Sequence, residues 1–125
     1  MISEKTQVDV EIFAIGTDPI AREGEQFISE TNQWFPVWLY TAMLCEDLLS
    51  VEESNMGFYP KHLKTFISEK NSIEMANRLL ESIKNGEAQE YGDKNFLHDE
   101  TFTFSVDDVE EFAKFCGLSG GFHLS

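Results

Sequence analysis

The spacing of apolar residues changes along this chain, and the change limits the folds that it can adopt. From Val8 to Ile15 apolar and charged residues alternate before the stretch becomes wholly apolar, which is typical of a strand with one buried face. From Ile73 to Ile83 apolar residues follow the three-and-four spacing of a helix with one buried face. Both periods within 125 residues, with no linker-like segment, predict a single α+β domain over residues 1–125.

The first of three main helices is predicted to begin at Pro36. A proline ring fixes φ in the helical range, and a first turn has no use for the amide hydrogen that proline lacks. This helix is expected to run to about Ser50. Residues 50–53, Ser-Val-Glu-Glu, fit a capping box that opens a short helical turn, and Gly57 is predicted to end that turn.

The second and third main helices have clear start and stop signals. Ser68 or Ser72 caps the second, and Asn-Gly at 85–86 stops it. Ser105 opens the third with acids in the first turn, and Gly117 ends it. The buried face of the second helix is predicted to consist of Ile73, Ala76, Leu79, Leu80 and Ile83.

The remaining segments predict short strands and loops. Residues 26–29 and 101–104 have strand character, and residues 63–67 fit a strand or an extended lead into the second helix. Residues 87–100 are expected to form a loop or a frayed helix, and residues 120–124 a last edge strand. The predicted fold is therefore three main helices packed on a small, mostly antiparallel sheet of short strands.

Charge narrows the classes of partner. The chain has 23 acidic and 9 basic side chains, a net charge of -14. Nucleic acid and anionic membrane surfaces are disfavoured, because phosphate contacts need clustered Lys and Arg. A protein with a basic surface is the expected partner, and the candidate contacts are Glu52, Glu53, Asp107, Asp108, Glu110 and Glu111.

Cysteine usage and the absence of targeting signals predict a cytoplasmic protein. Cys45 and Cys116 lie among apolar neighbours in predicted helices, which favours buried free thiols over a disulfide. Residues 1–6 have neither a basic start nor a long apolar run, and no stretch is apolar enough to span a membrane.

No motif for catalysis, metal or cofactor binding occurs. Cysteines and histidines lack zinc-site spacing, and the glycine patterns of phosphate-binding loops and nucleophile elbows are missing. The paired carboxylates do not follow calcium-loop order, and a cysteine at an apolar helix position is a poor nucleophile. The sequence predicts no metal, no cofactor and no enzyme activity.

Residues 32–38, Asn-Gln-Trp-Phe-Pro-Val-Trp, hold both tryptophans and have two interpretations. They are either a core anchor whose indole nitrogens bond nearby carbonyls, or an aromatic pocket at a helix N-terminus for an anionic or planar ligand. The residues of such a pocket would be Trp34, Phe35, Trp38, Tyr59 and Phe122.

A further pattern extends over roughly residues 27 to 122. Its residues are Asn32, Trp34, Pro36, Trp38, Glu46, Asp47, Ala76, Leu79, Gly86, Glu87, Phe104, Ser105, Glu111, Phe112, Phe115, Ser119, Gly120, Gly121 and Phe122. In these residues the chain resembles a family of small bacterial and phage proteins of unknown function. Phe35 departs from the family pattern, which has Trp beside Trp and Arg before Pro. The resemblance implies a shared fold and a phage or mobile-element setting, and it brings no activity.

Three hypotheses follow for function. The first is an acidic protein-binding module, an inhibitor or antagonist that occupies the basic surface of a nuclease, toxin or defence protein. The second is a small-ligand, nucleotide-like binder that uses the aromatic segment 34–38. The third is a structural role as a homo-oligomer formed through an edge strand or apolar patch.

Overall fold

The computed structural model describes residues 11–59 and 66–125. These ranges contain a three-stranded antiparallel sheet and five α-helices, so the α+β class is confirmed and three main helices were too few. The strands are β1 (Glu11–Gly16), β2 (Gln26–Glu30) and β3 (Phe122–Leu124). The helices are α1 (Thr31–Leu44), α2 (Val51–Phe58), α3 (Glu69–Lys84), α4 (Glu87–Phe96) and α5 (Val106–Leu118).

The sheet has the order β2-β1-β3, and β1 pairs antiparallel with both neighbours. Strands predicted at 26–29 and in the tail are confirmed, and the predicted first strand corresponds to β1 apart from Val8 to Val10, outside the described residues. Residues 63–65 also lie outside the described ranges, while Ile67 forms an isolated bridge with Phe122. The strand predicted at 101–104 does not form.

Helix α1 begins at Thr31, so the predicted start at Pro36 was wrong. Proline inside a helix leaves the carbonyl four residues earlier without its usual amide donor. Here that carbonyl belongs to Asn32, and it accepts a hydrogen bond of 3.1 Å from the amide of Thr103. The segment predicted as a strand therefore satisfies the carbonyl that Pro36 leaves open, which lets the helix run through the proline.

Helix α1 also ends earlier than predicted, at Leu44 instead of about Ser50. Arg78 of α3 donates to the Leu44 carbonyl at 3.2 Å, which satisfies one of the open carbonyls at this helix end. Its guanidinium also forms a bidentate pair with Asp47 at 2.6 and 3.0 Å. Contacts from another helix, which local sequence does not reveal, thus hold the connection to α2.

The buried face of α3 is rotated from the predicted one. Ser68 caps the helix as expected, but Ile73 and Leu80 are exposed, while Ser72 and Ser82 are buried. Ser72 donates to the Cys116 carbonyl of α5, the helix that packs along α3. Buried hydroxyls with hydrogen-bond partners let polar residues occupy the helix contact, which the apolar pattern could not indicate.

Gly120 and Gly121 form the turn from α5 into β3. Both have positive φ, at 71° and 94°, and a Cβ on Gly120 would overlap the Asp18 carbonyl. The amide of Asp18 donates to the Ser119 carbonyl at 2.9 Å, and Thr17 donates to Gly121 at 2.7 Å. The close approach of the β1–β2 connection therefore requires glycine here, and α5 ends at Leu118, one residue beyond the predicted Gly117.

Candidate functional site

Trp34 and Trp38 form the centre of the core. Both side chains are 0% exposed, and their rings stack with centroids 5.5 Å apart. Each indole N–H donates to a carbonyl of α2, Trp34 to Gly57 at 2.7 Å and Trp38 to Ser54 at 2.8 Å. Burying a tryptophan this completely is favourable only when its N–H has a partner, and both partners come from one helix.

Gly57 is the penultimate residue of α2, which ends at Phe58, one residue beyond the predicted end. A Cβ at this position would overlap the Trp38 indole. The absence of a side chain lets the α2 backbone come close enough to accept the Trp34 hydrogen bond. The capping box that starts α2 is confirmed, because Ser50 and Glu53 exchange hydrogen bonds of 3.0 and 2.9 Å.

The five aromatic residues of the predicted ligand pocket do not line one opening. Trp34, Trp38 and Phe122 are buried in the core, Phe35 is half-buried, and Tyr59 is exposed at the end of α2. A ligand at these tryptophans would have to displace the core and break both indole hydrogen bonds.

The acidic candidates lie near the starts of two helices. Glu52, Glu53, Asp107 and Asp108 are in first turns, and Glu110 and Glu111 are in the second turn of α5. Glu52 is exposed on α2, and Glu53 beside it belongs to the capping box. On α5, Asp107 and Glu111 are exposed, whereas Glu110 forms an ion pair of 3.6 Å with Lys114. Each group of acids lies beside a surface groove, as the following contacts show.

The larger group adjoins a groove that we name the aromatic groove. It has a volume of about 250 Å³ and lies between α4 and the segment that leads into α5. The lining residues are Gln89, Gly92, Asp93, Phe96, Leu97, Asp99, Phe102, Thr103, Phe104 and Val106. Val106 is the first residue of α5, so the groove ends where Asp107 and Asp108 begin.

Phe104 forms the floor of the aromatic groove. Its ring lies over Gly92, where a Cβ would overlap it, and stacks on Phe96 with centroids 6.0 Å apart. On the core side, the Tyr40 ring packs edge-on against the Phe104 ring, with centroids 5.7 Å apart. The ring of Phe102 packs against that of Phe35 of α1, with centroids 6.1 Å apart. The groove is therefore built on packed rings rather than on a free loop.

Carboxylates at the aromatic groove are held in fixed positions. Asp93 accepts a hydrogen bond of 3.0 Å from the Gln89 amide through Oδ1. Asp99 accepts from the backbone amides of Thr101 and Phe102 at 2.8 and 2.7 Å, also through Oδ1. Within the described residues, no hydrogen bond engages Oδ2 of either carboxylate, so each carboxylate keeps one oxygen available at a fixed orientation.

Asp108 has a raised pKa. Burial raises it first, and the neighbouring charges of Glu111 and Asp107 raise it further. Ser105 caps the helix by accepting from the amides of Asp107 and Asp108, at 3.1 and 3.4 Å. The start of α5 is therefore a place where negative charges repel one another and where a cation would be stabilised.

The smaller acidic group adjoins a second groove, named the helix groove, of about 260 Å³ between the end of α1 and α2. Its lining residues are Ala42, Glu46, Leu49, Ser50, Val51, Ser54 and Asn55. Val51 is 77% exposed, and Met43 is exposed beside the groove. Its lining contains no aromatic ring and one carboxylate, that of Glu46.

The cysteine thiols are not activated. Both are free and buried, and burial raises the pKa of Cys45 to about 11 and that of Cys116 well above its usual range. In ranges 11–59 and 66–125, no group of three His, Cys, Asp or Glu side chains is placed to hold a metal ion. None of the helices in those ranges is long and apolar enough to cross a membrane.

Sequence reasoning missed the aromatic groove because α4 was expected to be a loop or frayed helix. The available signal was the phenylalanine spacing at 96, 102 and 104, together with Gly92 inside an otherwise polar stretch. Comparisons with protein-family models, with curated proteins and with solved structures found no match to this chain.

Proposed function

We propose that this protein is an acidic protein-binding module that occupies a basic surface of a partner. Its role would be that of an inhibitor or antagonist of a nuclease, a toxin or a defence protein, which fits the setting implied by the resemblance to small bacterial and phage proteins. The proposal does not involve catalysis.

One observation carries the proposal: most carboxylates among the described residues form no ion pair. The three ion pairs among the described residues engage Asp47, Glu74 and Glu110. The remaining acids leave the surface with a strong negative potential, and the chain as a whole has a net charge of -14. Such a potential speeds encounter with a positively charged partner and rejects negatively charged ones.

Affinity capture from the native host's lysate at low salt tests this function. The bound proteins are eluted by rising salt and identified by mass spectrometry, with a matched bait in which Glu52, Asp107 and Glu111 are changed to Asn or Gln of equal length. These three side chains are exposed, so the matched bait should keep the fold.

A basic protein retained by the natural bait, lost from the matched bait and released as salt rises would support the proposal, because salt screens exposed charge pairs. Retention of no basic protein, or equal retention by both baits, would contradict it. Inhibition is tested next by measuring the captured protein's own activity with and without this protein.

A further inference from the structure

We infer that the aromatic groove is the docking site, and that its occupant is a basic protein segment with an apolar side chain flanked by Lys or Arg. The inference rests on the proposed function and names the surface and the partner chemistry that the function would use.

The apolar part of the recognition lies in the walls of the groove. Leu97 is 64% exposed, and Phe96, Phe102 and Phe104 are half-buried, so these side chains leave apolar surface in contact with water. An inserted aliphatic or aromatic side chain would remove that surface from water at about 25 cal/mol per Å². Anchors of this kind supply most of the affinity at protein interfaces.

The charged part of the recognition lies at the margin. Asp93 and Asp99 line the groove, and Asp107 directly follows Val106, the last lining residue in the sequence. Lys94, the nearest basic residue in sequence, lines a neighbouring surface depression and is not among the lining residues of the groove. A partner with cations on both sides of its apolar anchor would therefore match the charge of this surface.

The electrostatics of α5 favour the same occupant. Asp107, Asp108 and Glu111 repel one another, which contributes to the raised pKa of Asp108. A bound Lys or Arg would offset that repulsion, whereas a neutral or acidic segment would not. Discrimination against acidic partners is therefore expected along with attraction of basic ones.

The helix groove fits this occupant less well. It has no aromatic lining and a single lining carboxylate, that of Glu46, against two in the aromatic groove. Glu53 beside it is engaged in the capping box, and the nearby Asp47 is paired with Arg78. The aromatic groove instead combines three phenylalanine rings with two lining carboxylates that no cation of the described residues neutralises.

The test uses two synthetic peptides, Lys-Lys-Leu-Lys-Lys and Lys-Lys-Ser-Lys-Lys, titrated into the isotope-labelled full chain at low salt and followed by amide NMR shifts. The Leu peptide should bind more tightly, by about fivefold for a partly buried side chain. The shifted amides should be those of Gly92, Leu97, Thr103 and their neighbours.

Two variants and a matched control locate the site. Leu97→Ser should lower the affinity for the Leu peptide by about fivefold and leave the affinity for the Ser peptide unchanged. Asp93→Asn keeps the oxygen that accepts the Gln89 hydrogen bond, and it should weaken both peptides by about threefold and reduce their salt dependence. Val51→Ser, at a position in the helix groove that is 77% exposed against 64% for Leu97, should change neither affinity.

Shifts centred on Val51 and Glu52, or an unchanged affinity in Leu97→Ser with its amide spectrum intact, would overturn the docking site while leaving the proposed function standing. Equal binding of the two peptides would overturn the apolar anchor. Failure of the lysate capture, by contrast, would contradict the function itself.

Discussion

Two aromatic-rich regions of this molecule differ in how far their side chains are buried. Trp34 and Trp38 are fully buried, while the phenylalanines of the aromatic groove stay partly in water. Sequence alone drew attention to the tryptophans, which are the rarer residues and stand close together at a proline. The sequence did not indicate the groove, because its phenylalanines are spread from Phe96 to Phe104 through a polar stretch.

The difference shows how polar atoms decide what an aromatic residue can do. Each indole N–H bonds a carbonyl of α2, so the tryptophans join two helices and have no free polar atom for a ligand. Phenylalanine has no such atom, and in the groove it is accompanied by carboxylates, which would supply the specificity in the binding that we propose. Aromatic density therefore predicts packing, and binding requires exposure as well.

The largest expected effect is that of Gly57→Ala. The added Cβ would overlap the Trp38 ring, which is enclosed and cannot move aside, so we expect a loss of about 3 kcal/mol in the free energy of unfolding. Urea unfolding followed by tryptophan fluorescence measures it. Gly117→Ala is the control, because its Cβ would make an ordinary 3.4 Å contact with Ala76 and a helical alanine should be neutral or stabilising. Equal stability of the two variants would contradict the tight packing.

Gly92→Ala makes the same change at the groove. The Cβ would overlap Phe104, but this ring is half-buried and can shift outward, and alanine is the better helix former. We expect a loss of about 1 kcal/mol in unfolding free energy. The variant should also bind the Leu peptide more weakly, because the groove floor moves. A loss as large as that of Gly57→Ala would show that the groove belongs to the rigid core.

Tyr40→Phe tests the boundary between the two regions. The Tyr40 hydroxyl is buried near Ser82, whose own hydroxyl donates to the Leu79 carbonyl, and it has no partner at hydrogen-bond geometry among the described residues. Burial raises its pKa. Removing an unsatisfied hydroxyl while keeping the ring should raise the unfolding free energy by about 1 kcal/mol. Thermal and urea unfolding measure this, and a clear destabilisation would reveal a bond that the hydroxyl makes.

The smallest effect is expected for Asp108→Asn. The folded pKa of Asp108 lies above its usual 3.8, so the ionised form opposes folding at neutral pH, and this penalty disappears as pH falls through the folded pKa. The variant should therefore melt slightly higher than the natural chain at pH 7. The difference in melting temperature between the two proteins should shrink as pH falls below the folded pKa. It should vanish well below pH 3.8, where the Asp108 carboxyl is neutral in both the folded and the unfolded state.

A lower melting temperature for Asp108→Asn at pH 7 would contradict this prediction. It would mean that attraction between the carboxylate and the α5 helix dipole exceeds the effect of burial and repulsion.

Much of the fold followed from local patterns. The capping residues Ser50, Ser68 and Ser105 are confirmed because a serine oxygen satisfies amides within its own first turn, a contact that sequence spacing determines. Strands β2 and β3 were also predicted from local sequence. For β3 the pattern was Phe122 and Leu124 on either side of His123, directly after two glycines. The start of α1 was not predicted correctly, because the helix runs through Pro36 with the help of the distant Thr103 amide, which donates to the Asn32 carbonyl.

The candidate site was predicted in part. The acids of α5 were named from composition, but their position beside an apolar groove depends on Phe104 packing over Gly92 and on Phe102 meeting Phe35. Those contacts join residues far apart in sequence, and no local period reveals them.

By itself the sequence determined the α+β class, the helix caps and the excess of negative charge, since each follows from residue type and short-range spacing. Only the tertiary structure decided which aromatic residues are buried, which face of α3 is inside and where carboxylates meet apolar surface. Burial depends on what lies across from a side chain, and hydrogen bonds such as Trp34 to Gly57 and Ser72 to Cys116 connect residues that the chain separates widely.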